Sequence, residues 1–119
     1  MEINKDVVPS TIKDAVIQIL ASLNEEDKEF IRKHPSCSIH HGTGTWFRNN
    51  WSLWEDSPLK RDAISKYKIA HADDISGLIF DWVWAKVRGE KFDPVVYCER
   101  FHKHWAKFGK TSLQAGGVN

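Results

Sequence analysis

Residues 71–89 decide the fold, and they read HADDISGLIFDWVWAKVRG. An acidic pair opens this segment, and acids in a first turn complement the positive end of the helix dipole. The apolar side chains that follow leave only a narrow polar strip around Gly77, Asp81 and Arg88. A helix that is apolar on nearly all sides is usually surrounded by others. The segment therefore predicts a central hydrophobic helix over about residues 72–88.

Shorter helices are predicted on both sides of this segment. Apolar residues recur at spacings of three and four, and side chains that can cap a helix stand before the runs at Thr11, Asn24, Ser57 and Asp93. The predicted helices, besides the central one, span residues 12–23, 25–34, 46–54, 58–68 and 94–108. No segment has the pattern of a strand, so the fold class is all-α, a single compact bundle of five or six short helices.

The length of 119 residues is typical of one domain. We assign residues 1–109 to this domain. After Lys110 the chain is small or polar, so residues 110–119 are predicted to form a flexible tail.

Composition excludes several classes of function. The net charge of +1 is too small to attract the phosphate backbone of nucleic acids in general. No apolar run approaches the roughly 20 residues of a membrane span, and residues 1–10 do not resemble a signal peptide. The two cysteines, Cys37 and Cys98, are too few for a disulfide framework. A cytoplasmic protein without membrane contact is expected.

A polar and aromatic cluster is the main candidate for chemistry. Residues 40–51 read HHGTGTWFRNNW, a glycine-bearing loop that leads into a helix. Such a loop can aim backbone amides at an anion, and Arg48 could add a bidentate contact. The alternative is that the glycines only permit a tight turn.

Asn50 stands in the middle of the apolar arc that we predict for the helix over 46–54, with Arg48 on the opposite side. An amide in that position must be hydrogen-bonded, or it costs about 1–3 kcal/mol. We therefore predict that Asn50 is buried and bonded, either as a structural amide or as a residue that contacts a ligand.

No metal, cofactor or catalytic group is predicted. Imidazole and carboxylate groups could suit zinc or iron, but the spacing of the candidates is that of no known metal motif. Those candidates are His40, His41, His71, Asp73 and Asp74. Cys37 lacks a basic partner that would make it a nucleophile.

The sequence resembles an uncharacterised family of bacterial and phage-associated domains of unknown function. The likeness rests on residues 41–54 (HGTGTWFRNNWSLW), on Ser57 and on residues 71–79 (HADDISGLI), and it extends from the amino terminus to about Lys86. The chain departs from the family pattern at Ser52, where glycine is usual, and at Ala72, where proline is usual. The resemblance implies no activity, but it draws attention to polar residues beyond those that packing requires.

We therefore expect a non-enzymatic binding module for a small anionic or phosphorylated ligand or for a partner protein. A structural protein–protein interaction domain is the alternative, and a small hydrolase-like enzyme using His71 with Asp73 or Asp74 is the third hypothesis. Arg48 is predicted to lie within reach of these two carboxylates. The predicted ligand-binding residues are His41, Trp46, Arg48, Asn49, Asn50, Trp51, His71, Asp73, Asp74 and Ser76.

Overall fold

A computed structural model describes residues 6–39, 43–53 and 55–118 of the chain. Across these residues the fold is all-α, with no strand. The helices are α1 (Ile12–Ser22), α2 (Glu25–Lys33), α3 (Thr43–Asn50), α4 (Pro58–Tyr67), α5 (Ala72–Arg88), α6 (Pro94–Ala106) and α7 (Ser112–Ala115), with a 3₁₀ segment at Ser36–Ile39. No helix within these ranges has the length and apolar character needed to cross a membrane.

The α5 helix is central, as its sequence predicts. It contacts α1, α2, α3, α6 and the 3₁₀ segment. Leu78 and Ile79 are buried, while Trp82 is half-buried and stacks on Phe92 with ring centroids 5.6 Å apart. The apolar core to which α5 contributes also includes Ile12, Val16 and Ile19 of α1, Phe47 of α3, and Leu59 and Ala63 of α4.

The helix starts are formed by the predicted capping residues. The Thr11 hydroxyl accepts a hydrogen bond from the Asp14 amide at 3.0 Å, and the Asp93 carboxylate accepts from two amides of α6. Asn24 forms a reciprocal capping box with Asp27, and Ser57 caps α4. These side chains satisfy amides that a helix cannot bond internally, which fixes where each helix begins.

The carboxyl end of α2 is attached to α5 by polar contacts. The Arg88 guanidinium donates to the carbonyl oxygens of Ile31 and His34, and the Trp84 indole donates to the His34 oxygen at 2.8 Å. These donors satisfy carbonyl groups that the end of a helix leaves unpaired. Trp84 lies toward the polar strip of α5, and the end of α2 covers it there.

The α6 helix packs along the polar strip of α5 in antiparallel orientation. The Tyr97 hydroxyl donates to Asp81, and about two helical turns away the Trp105 indole donates to Asp74 at 2.8 Å. Of the α6 residues, all of which the structure describes, Cys98 alone is fully buried. The seam between α5 and α6 thus combines carboxylate groups with aromatic donors.

The α3 helix begins and ends earlier than predicted, at Thr43 and Asn50 instead of Trp46 and Trp54. Its end follows from the backbone of Ser52, which has a φ of 56°, in the left-handed region. The Leu53 amide then bonds back to the Arg48 carbonyl at 3.0 Å, a pattern that commonly terminates a helix. Glycine favours that conformation, which gives a physical reason for glycine at position 52 in the related pattern.

Two segments have more structure than their sequences indicate. The loop after α2 contains the 3₁₀ segment Ser36–Ile39, and the predicted flexible end contains α7. A capping box between Thr111 and Gln114 starts α7, and Ser112 is buried. The α7 helix contacts α6, so this part of the predicted tail packs on the domain.

Candidate functional site

Arg48 joins the end of α3 to the start of α5. Its Nε lies 3.2 Å from Asp73 Oδ1, and its Nη1 donates to Ser76 Oγ at 3.1 Å. The Ser76 hydroxyl in turn donates to the Asp73 carbonyl. The Arg48 side chain is only 11% exposed, whereas that of Asp73 is 60% exposed. The predicted proximity of Arg48 to the α5 carboxylates is therefore confirmed for Asp73.

His71 caps the amino end of α5. Its Nδ1 accepts a hydrogen bond from the Asp73 amide at 3.1 Å, so this nitrogen carries no proton in that bond. The ring also lies against Trp105, with centroids 5.5 Å apart. These contacts account for the imidazole as a helix cap packed against α6.

Asp74 differs from its neighbour because it is buried. Its Oδ2 accepts the indole hydrogen of Trp105. Burial raises the pKa of this carboxyl, and the Trp105 hydrogen bond and the nearby His71 partly oppose that rise. Trp105 was absent from the predicted site, and its position in the apolar stripe of α6 gave no sign of a polar partner.

Asn50 is exposed, so the prediction that it is buried is wrong. Its amide donates to the Trp46 carbonyl, one turn earlier in the same helix. The error comes from the helix boundaries, because α3 stops at Asn50 and its buried face follows Phe47 and Trp51. A helix running to residue 54 would have placed Asn50 between apolar neighbours.

The aromatic residues of the predicted site differ in exposure. Trp51 is fully buried against Phe47, with ring centroids 4.4 Å apart, and its indole nitrogen has no acceptor in the described part of the chain. Trp46 is half-buried and Asn49 is exposed. Trp51 is thus part of the core, and no surface of its ring is open to a ligand.

His40 and His41 lie outside the described residues. Within the described ranges, no group of three His, Cys, Asp or Glu side chains is placed to hold a metal ion. The ligand-binding role of the predicted residues, from His41 to Ser76, stays a prediction. The contacts of Arg48, His71, Asp74 and Ser76 tie α3, α5 and α6 together.

A cleft of about 470 Å³ opens at the other end of α5, between the end of α2 and the start of α6. Its floor includes Asp81, which accepts hydrogen bonds from the hydroxyls of Ser36 and Tyr97. Trp84 and Phe92 add aromatic surface. The other lining residues are Pro35, Ala85, Arg88, Glu90, Lys91, Asp93, Val96 and Arg100.

Charges in this cleft are unequally satisfied. Asp81 and Asp93 accept hydrogen bonds from neighbouring donors. Arg88, Lys91 and Arg100, in contrast, form no ion pair with any described residue. The guanidinium of Arg88 bonds to neutral carbonyl groups, as the two aspartates bond to neutral donors, so Lys91 and Arg100 are the cations that make no hydrogen bond with a described residue.

Sequence reasoning missed this cleft for a physical reason. Its residues come from segments that look unremarkable alone, namely a loop serine, the polar strip of α5 and the start of α6. One usable signal existed, because Asp81 faces the α6 stripe that contains Tyr97. An antiparallel pairing of α5 and α6 would have brought these two residues together.

A family of domains of unknown function (DUF6794) matches residues 8–87. The chain belongs to this family. The matched segment covers α1 to α4 and all of α5 except its last residue, Arg88, whereas α6 and α7 follow it. No curated protein sequence and no solved structure matches the chain. The cleft therefore combines residues of the matched segment, such as Asp81 and Trp84, with residues that lie beyond it, such as Arg88 and Arg100.

Proposed function

We propose that this DUF6794 domain is a non-enzymatic binding module for a small anionic ligand, and that the cleft at the carboxyl end of α5 holds the ligand. The observation that carries the proposal is the charge inventory of the cleft. Three cations have no carboxylate partner, whereas Glu90 is the one lining carboxylate that accepts no hydrogen bond in the described part of the chain. The cleft has as many carboxylates as cations, but Lys91 and Arg100 make no hydrogen bond or ion pair with any described residue, so their donors are available to an anion.

The size and lining of the cleft also support a small ligand. Pockets for small molecules have volumes of roughly 300–1,000 Å³ and combine apolar walls with a few polar groups. The volume of about 470 Å³ lies within this range, and Trp84, Phe92 and Val96 supply apolar surface.

The Arg48 cluster is a weaker candidate for an anion site. The Asp73 carboxylate already occupies the guanidinium of Arg48, so an anionic ligand would have to displace it. We propose that these residues mainly stabilise the packing of α3 on α5, which was the alternative interpretation of the sequence.

The experiment uses 8-anilinonaphthalene-1-sulfonate, an aromatic anion, as the probe. Its binding to the full chain is followed by dye fluorescence, and its position by the chemical shift of the Trp84 indole proton. We expect saturable binding that the double variant Lys91→Gln/Arg100→Gln weakens by about tenfold or more. Lys86→Gln, an exposed lysine outside the cleft, is the matched control and should bind as the unaltered chain does.

Two results would contradict the proposal. One is the absence of saturable binding to the folded protein. The other is equal binding by the double variant and by Lys86→Gln, which would place the dye elsewhere on the surface.

A further inference from the structure

Arg100 has an unusual position in the cleft. Its guanidinium carbon lies 3.9 Å from the centroid of the Tyr97 ring, a distance typical of a cation–π contact. A cation–π contact of this kind uses none of the N–H donors of the guanidinium in a hydrogen bond. These donors form no hydrogen bond or ion pair with the described residues.

The ring beneath Arg100 is itself held in place. The Tyr97 hydroxyl donates to Asp81, which also accepts from Ser36. Phe92 and Phe101 pack against the same ring, with centroid distances of 5.1 and 5.5 Å. Burial raises the pKa of Tyr97 well above its usual range, so the hydroxyl stays a donor at neutral pH. Arg100 therefore rests on a platform fixed to α5.

A guanidinium presents two parallel N–H groups, and these match the two oxygens of a carboxylate. The cleft that Arg100 lines also offers aromatic and aliphatic surface from Trp84, Phe92 and Val96. A ligand that uses both features needs a carboxylate attached to a flat apolar body. A bare anion would leave the apolar walls unused, and a neutral aromatic molecule would leave the cation unmatched.

We infer, building on the proposed function, that the ligand of the cleft is an aromatic carboxylic acid and that Arg100 binds its carboxylate. Tyr97 is a positioning residue, because it orients the guanidinium and is itself oriented by Asp81. Lys91 adds charge at the rim without defining the geometry.

The test titrates the full chain with three probes, benzoate, benzamide and acetate, and follows the Trp84 indole proton by NMR. We expect benzoate to bind about tenfold or more tightly than either of the others, since each lacks one of the two matched features. Arg100→Gln should abolish the preference for benzoate over benzamide. Arg100→Lys keeps the positive charge but loses the two parallel N–H groups of the guanidinium. It should therefore retain only part of the preference for benzoate that Arg100→Gln abolishes.

A second pair of variants tests the platform. Tyr97→Phe keeps the ring and should retain most of the preference for benzoate, whereas Tyr97→Leu removes the ring and should lose it. Arg100 is exposed, so its variants remain informative even if Tyr97→Leu fails to fold.

The outcomes separate this inference from the proposed function. If the sulfonate dye binds in the cleft but benzoate shows no advantage over benzamide, the inference is wrong and the binding module stands. The same holds if Lys91→Gln, and not Arg100→Gln, removes the preference. If neither the dye nor any of the three probes binds, both proposals fail.

Discussion

At the amino end of α5, Arg48 pairs with Asp73 and Asp74 accepts from Trp105, whereas at its carboxyl end three cations line an open cleft and pair with no carboxylate in the described part of the chain. Arg48 shows the first arrangement and Arg100 the second. A charged group that is nearly buried and fully bonded contributes to stability, since its removal leaves its partners unpaired. An exposed cation without a partner contributes little to stability and is available for binding.

The largest effect is expected for Arg48→Ala. This variant leaves Asp73 and Ser76 without their common partner, so the free energy of unfolding should fall by about 2 kcal/mol, as measured by urea denaturation. The control is Arg61→Ala, because Arg61 pairs with Asp56 in an exposed ion pair. That control should cost less than about 1 kcal/mol. Equal losses in both variants would remove the distinction between the two ends.

The neighbouring aspartates at the amino end should respond in opposite directions. The pKa of Asp74 is raised by burial from the usual 3.8, so the folded state binds its proton more tightly than the unfolded chain does. This contribution to stability is fully present below pH 3.8 and is lost as the pH rises through the raised pKa. In Asp74→Asn the amide oxygen can still accept from Trp105 without this loss. The variant should be about 1 kcal/mol more stable than the unaltered chain at about pH 7.

The advantage of Asp74→Asn should shrink as the pH is lowered toward about 4, which denaturation curves at several pH values would measure. Asp73→Asn is the control, and at neutral pH it should lower stability because the ion pair with Arg48 is lost. If Asp74→Asn is destabilised as much as Asp73→Asn, the burial of Asp74 is not what distinguishes the two residues.

Ser52→Gly tests what ends helix α3, which contains Arg48. Its left-handed backbone disfavours a side chain, so glycine should stabilise the protein by about 0.5–1 kcal/mol. Ser52→Ala keeps a β-carbon and should give no such gain. Thermal unfolding of the two variants distinguishes the release of backbone strain from the loss of the hydroxyl. An equal change in melting temperature in both variants would contradict the role of the left-handed backbone.

The smallest effect is expected at the carboxyl end. Lys91 is exposed and unpaired within the described chain, so Lys91→Gln should change the free energy of unfolding by less than about 0.5 kcal/mol. A loss as large as that of Arg48→Ala would mean that the charges of the cleft hold the fold together.

The fold was largely predictable because it depends on local signals. The apolar surface of α5 identified the central helix, and Thr11, Asn24, Ser57 and Asp93 marked helix starts that the structure has. The end of α3 was not predictable from periodicity, because the left-handed backbone at Ser52 interrupts a pattern that continues to Trp54. The spacing of apolar residues does not show which residue adopts a left-handed backbone and ends the helix.

The candidate sites depend on contacts between distant segments, and these were harder to predict. The pairing of Arg48 with Asp73 was predicted correctly. Arg48 lies off the apolar side of its helix, and the short helix α4 brings the start of α5 back beside it, so the carboxylates there were the nearest polar partners. The burial of Asp74 under Trp105 required the position of α6, and so did the cleft between Asp81 and Arg100. Neither α6 contact has a signature in a single segment.

The reaction rates of the two cysteines report on opening of the α5–α6 seam. Cys37 is exposed, whereas Cys98 is fully buried, and burial raises the pKa of its thiol to about 12. Since the thiolate is the reactive form, a thiol reagent at neutral pH should modify Cys37 at once. Cys98 should react only when α6 separates from the rest of the domain. The lag between the two modifications therefore measures how often the seam opens in the native protein.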